Sequence, residues 1–192
     1  MAGEKSGSFV ELIRKALNDA ASGGGGGLPD ELLFVPKDGK KLGRFLSEFD
    51  KPTAVIMHDK WQALMPQPCL KQYGEPCPFH GSDFRTTTWY AWTVWDYEAK
   101  AKRVGVWKAS LQSPVERLLD IFDMNGTIKD RDIELSRVGQ GTKSRYKARP
   151  TTPGPTPFEG PVDMPYSDEK VLEILKGMVS KLTLDDVEKK DE

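Results

Sequence analysis

The chain's two cysteines and two histidines all fall between positions 58 and 80, in the stretch HDKWQALMPQPCLKQYGEPCPFH. His58, Cys69, Cys77 and His80 have the spacing His-x10-Cys-x7-Cys-x2-His. A zinc ion takes four nitrogen or sulfur ligands in a tetrahedron, and a short chelating pair at one end sets the first two bonds. Cys77-Pro78-Phe79-His80 is such a pair. Pro76 and Pro78 limit the local conformations, which lowers the entropy lost on chelation. Ligation would also fold a stretch too poor in apolar residues to fold by itself. One structural Zn2+ is therefore expected, since a filled shell leaves no position for a catalytic water. Two other readings of the same residues are a Cys69–Cys77 disulfide, or two buried thiols with surface histidines.

A second set of residues points to ligand contact. All five tryptophans, Trp61, Trp89, Trp92, Trp95 and Trp107, lie between positions 61 and 107. In the run around Trp89–Trp95, alternation puts Trp89 and Trp95 on one face of a strand and Tyr90 and Trp92 on the other. Both faces cannot easily be core in a small sheet, so at least one set is expected at the surface or in a groove. Basic residues interleave with these rings: Arg85 precedes Trp89, Arg103 and Lys108 flank Trp107, and Lys143, Arg145 and Lys147 alternate around Tyr146. Single-stranded nucleic acid is held this way, with cations along the phosphates and bases stacked on aromatic faces at about 1–3 kcal/mol each. The candidate binding residues are Trp61, Arg85, Trp89, Trp92, Arg103, Trp107, Lys108, Lys143, Arg145, Tyr146 and Lys147. A purely structural sheet with charged edges would show the same pattern.

The elements that must position these residues read as mainly β. Strands are expected over Lys41–Phe49, Thr53–His58, Phe84–Glu98, Lys102–Ser110, Asp132–Val138 and Ser144–Ala148, from their threonine, aromatic and β-branched content. Ser113-Pro114 opens a helix that Asn125-Gly126 ends. Such an inventory fits a small β-barrel of the OB-fold kind, which binds oligonucleotides on its sheet face, with the zinc stretch as a subdomain and helices at the periphery; an SH3-like barrel or a plain α+β sheet has the same strand count. The expected organisation is an N-terminal amphipathic helix with a Gly-rich linker over 1–31, and a core over 32–149 with the zinc subdomain at about 58–83. A Pro-rich linker over 150–166 and a C-terminal helix with an acidic tail over 167–192 complete it.

The 192 residues suffice for one domain with tails. The net charge of -1 conceals segregation. Residues 35–150 hold 20 Lys/Arg against 14 Asp/Glu, whereas the flanking segments are net acidic. A basic middle between acidic ends is expected to meet a polyanion. No apolar run approaches the length of a membrane span, and MAGEKSGSFVELIRKAL lacks the apolar stretch of a signal peptide. A cytoplasmic location is expected, which also suits thiolate ligation better than a disulfide.

Taken in order, residues 40–148 resemble the helix-destabilising single-stranded-DNA-binding proteins of tailed bacteriophages, of the T-even phage type. The resemblance rests on Leu42-Gly43-Arg44-Phe45-Leu46, then an apolar strand leading to a ligand histidine at His58. Cys69, Cys77 and His80 follow, and then the aromatic strand Thr88–Ala91. A hairpin partner and a helix come next, at Val104–Lys108 and Pro114–Phe122, and a final Asp132–Tyr146 portion with a Gly-x-Gly turn. It implies an OB-fold, a structural zinc, and sequence-independent single-stranded DNA binding and protection during phage DNA replication, recombination and repair, in the host cytoplasm. The chain departs from the family in having two histidines and two cysteines at the metal rather than one and three. It also has a shorter acidic tail and no evident basic motif in the N-terminal arm. The tail is a candidate contact for replication and recombination proteins, and the N-terminal helix a candidate for self-association.

No nucleophile–base pair stands out, and the Gly-rich run is not followed by the Lys-Ser/Thr of a phosphate loop. A non-enzymatic role is therefore expected. The competing classes are a zinc-stabilised protein-interaction module and a metal-dependent nucleic-acid enzyme. His58-Asp59-Lys60 lacks the His-x-Glu of deaminases.

Overall fold

Strand-forming residues dominate the middle of the chain, and the computed structural model places seven strands there. It describes residues 29–59, 66–77, 79, 85–139, 144–158, 160 and 164–178. The strands are β1 (Lys40–Phe45), β2 (Thr53–Asp59), β3 (Gln67–Pro68), β4 (Arg85–Asp96), β5 (Ala101–Lys108), β6 (Asp132–Val138) and β7 (Arg145–Pro150). A 3-10 turn covers Leu70–Tyr73, and two helices, α1 (Val115–Asn125) and α2 (Asp168–Lys176), follow β5 and β7. At the start of α1 the Ser113 hydroxyl accepts the Val115 N–H at 3.2 Å. Gly126 ends the helix with φ 73°, a left-handed conformation that glycine adopts without strain, and its N–H reaches the Phe122 carbonyl. The expected N-terminal helix and acidic tail lie outside the described residues.

The strands run in the order β3-β2-β4-β1-β6-β7, with β5 on β4. The registered pairings are antiparallel. The architecture is thus a mainly β, open antiparallel sheet, and among the described residues no ladder closes it into a barrel. The described chain clusters into two units. Of the described residues, the larger takes those within 31–55 and 88–174, and the smaller those within 56–87 and 175–178.

In the larger unit, one sheet face and α1 share a core of Phe45, Trp92, Val94, Trp107, Ile133 and Leu135 with Leu118 and Ile121. This corrects the expectation that Trp92 and Trp107 meet a ligand. Trp92 stands opposite Gly105 on β5. A Cβ there would come within 2.2 Å of the Trp107 ring, so the missing side chain is what lets that indole fold inward. The two indole rings lie 6.0 Å apart, Phe49 stacks on Trp92 at 5.9 Å, and the Trp92 N–H donates to the Phe49 carbonyl at 3.2 Å. With the polar atom satisfied, burial of both rings stabilises the fold.

The opposite face is covered too, by the proline-rich segment expected to be a linker. Arg44 on β1, paired with Trp95 on β4 and with Asp132 on β6, reaches this segment. Its guanidinium donates to Asp132 Oδ1 (2.8 Å), to the Lys129 carbonyl (3.1 Å), and to the carbonyl and hydroxyl of Thr156. Phe158 lies under the guanidinium and edge-on to Trp95. Tyr166 donates its backbone N–H to the Thr93 hydroxyl and its phenol to the Lys102 carbonyl, with the Lys102 ammonium over its ring. The segment is a strap, and all of residues 91–96 are buried. Neither face of that stretch is a groove, contrary to the expectation from alternation.

Candidate metal centre and nucleic-acid interface

Three of the four expected metal ligands come together in the smaller unit. His58 is the last but one residue of β2 and is buried. β3 pairs with β2 so that Met57 faces Pro68 and His58 faces Gln67. The pairing continues as the Cys69 N–H donates to the Ile56 carbonyl at 2.8 Å. The Gln72 side chain then closes a two-hydrogen-bond ring with the backbone of Ile56, its amide acting as a further strand residue. These bonds put Cys69 beside His58. Gly74, with φ 74°, turns the chain back toward Cys77, whose sulfur lies 3.2 Å from His58 Nε2.

The ligand atoms of His58, Cys69 and Cys77 all lie within 4.8 Å of one another. A tetrahedral zinc would hold two thiolates about 3.8 Å apart, given bonds of about 2.3 Å, so the cluster needs little adjustment. Neither cysteine is in a disulfide, which excludes that reading in this structure. Burial pushes the Cys69 thiol up from its ordinary value, and the facing Cys77 sulfur pushes it further. A cation between them would reverse that balance, because ligation deprotonates a thiol. The buried Phe79 ring sits 5.8 Å from the His58 ring and shields it from water. The donor set suits a metal ion with soft or borderline preferences. His80 lies outside the described residues.

The expected nucleic-acid residues divide between two faces. On β4 and β5, Trp89 stands directly across from Lys108, whereas Arg103 faces Val94 on the core side. Arg103 therefore does not share a face with Lys108. On β7, Arg145 and Lys147 are exposed and point away from the core, whereas Tyr146 packs against it, with the Arg137 guanidinium over its ring. Arg85 begins β4 and is exposed. Trp61 and Lys143 lie outside the described residues. Sequence reasoning missed Arg149, which continues the alternation of Arg145 and Lys147 because β7 extends to Pro150. It also missed Lys40, which the register of β1, β6 and β7 places in the same row as Lys147.

Comparison with protein-family models, curated proteins and solved structures finds no match to this chain. No helix among the described residues is long and apolar enough to cross a membrane.

Proposed function

We propose that the protein is a non-enzymatic, sequence-tolerant single-stranded-DNA-binding protein with an OB-fold type of barrel, its His/Cys cluster holding a structural zinc. The observation that carries this reading is on β7. Arg145, Lys147 and Arg149 project from one exposed face at alternate positions, about 7 Å apart along the strand. A regular row of cations suits a polymer with a regularly repeating charge better than a compact ligand. The role in phage replication, recombination and repair comes from the family resemblance. His58, Cys69 and Cys77, with His80 as the expected fourth ligand, would hold the zinc, which supplies folding energy to the smaller unit and no chemistry.

The test is binding of labelled oligo-dT across a salt series. Affinity should fall steeply with salt, and Arg145→Ala and Lys147→Ala should each flatten the log–log slope by about 0.7. Absence of oligo-dT binding at low salt by metal-loaded protein would refute the reading.

A further inference from the structure

We propose that Glu134 occupies, from within the chain, an anion subsite that a phosphate of single-stranded nucleic acid takes over on binding, held there by Lys40, Lys147 and Arg149. This rests on the function proposed above and adds to it a restraint and one further cation, Lys40. β1, β6 and β7 lie side by side in two neighbouring rows, Lys40–Ser136–Lys147 and Leu42–Glu134–Arg149. All of these residues but Leu42, together with Asp38 and Arg137, line an open hollow of about 280 Å³.

At its centre the Glu134 carboxylate receives Lys40 Nζ at 3.2 Å and Arg149 Nε at 2.9 Å. The acid is only 21% exposed, while the two cations are 62% and 68% exposed. Burial pushes the Glu134 carboxyl up, but the hydrogen bonds from Lys40 and Arg149 outweigh it and hold the group below the usual carboxylate range. It is therefore ionised at neutral pH. No ion pair to Lys147 is found among the described residues, and Asp38, the second acid of the hollow, pairs with Lys37 at 3.8 Å, so Lys147 stands beside a carboxylate that Lys40 and Arg149 already hold.

Ion pairs whose cations are this exposed contribute little, because solvent screens them. A polyanion can therefore displace the carboxylate from Lys40 and Arg149 and gain the entropy of the counterions it releases. A single small anion gains no such term and must compete with Glu134 at close range. The intramolecular carboxylate thus weakens the subsite while favouring long polyanions. The row along β7 points to an extended strand crossing the hollow rather than a compact acidic group.

The test uses the full chain and labelled oligo-dT. Glu134→Gln keeps the side chain's shape and removes its charge. It should bind about 3- to 10-fold more tightly at low salt, corresponding to loss of one or two exposed pairs. Its log–log salt slope should steepen by about 0.7–1.4 as one or two cations become available. Lys40→Met and Arg149→Met, at exposed positions, should each flatten the slope by about 0.7, which tests the subsite even if Glu134→Gln fails to fold. Wild-type binding with unchanged slopes in all folded variants would overturn the subsite and leave the proposed function standing. No wild-type binding would overturn both. Tighter binding of a glutamate-rich peptide by Glu134→Gln, with no gain for oligo-dT, would overturn it in favour of a protein partner.

Discussion

Replacing Arg44 tests whether the proline-rich segment is part of the fold. The side chain is 4% exposed, and its donors serve Asp132, the Lys129 carbonyl and both oxygens of Thr156. Arg44→Met keeps much of the volume and removes every donor. Asp132 then retains the Tyr97 hydroxyl at 2.7 Å, but the carbonyls of Lys129 and Thr156 lose this donor. Removing one partner of a buried, hydrogen-bonded charge pair costs about 3–5 kcal/mol. With a urea dependence of about 2 kcal/mol/M, the unfolding midpoint should fall by about 2 M. Arg44→Lys should recover less than half of the loss, because an ammonium cannot reproduce the planar fork. Thr156→Val removes the hydroxyl that accepts from Arg44, at about 1–2 kcal/mol. Combined with Arg44→Met it should add little, since both changes break one network. Arg145→Met, exposed on β7, should change stability by less than about 0.5 kcal/mol. An Arg44→Met protein within 1 kcal/mol of wild type in urea unfolding, or full additivity with Thr156→Val, would refute the strap.

Cys77→Ser should release the metal, read by elemental analysis and thiol titration, and loosen residues 56–87 to proteolysis while the larger unit still unfolds cooperatively. Trp92→Ala should destabilise by about 3–5 kcal/mol, whereas Trp89→Ala should act mainly on oligo-dT affinity, as denaturation and anisotropy would show. Gly105→Ala should cost about 1–3 kcal/mol, because the added methyl meets the Trp107 ring; an unchanged melting temperature would mean that the ring can move aside. The hydrogen bond from Arg131 holds the Asp130 carboxyl below its ordinary value of 3.8. That pair therefore contributes stability above about pH 4 and loses it as pH falls through the lowered value, so Asp130→Asn should flatten the acid limb of the stability–pH curve.

The cluster of His58, Cys69 and Cys77, which could hold a metal ion, was legible in the sequence because chelation depends on residue type and short spacing, which the chain carries locally. The strands were legible for a similar reason: threonine, aromatic and β-branched runs favour an extended backbone wherever they occur. So was α1, whose ends are set by Ser113-Pro114 and Gly126. What alternation along one strand could not say was which face would be covered, and by what. Trp107 went inside because Gly105, two positions earlier on β5 and opposite Trp92, left room for its indole. Trp95 was covered because Phe158, more than sixty positions later, packs back beside a buried Arg44. Lys40, Glu134 and Arg149 share a site only through the register of three strands. Local backbone preference and chelation chemistry reside in the sequence; burial and charge pairing arise between residues far apart in it, and only the tertiary structure decided them.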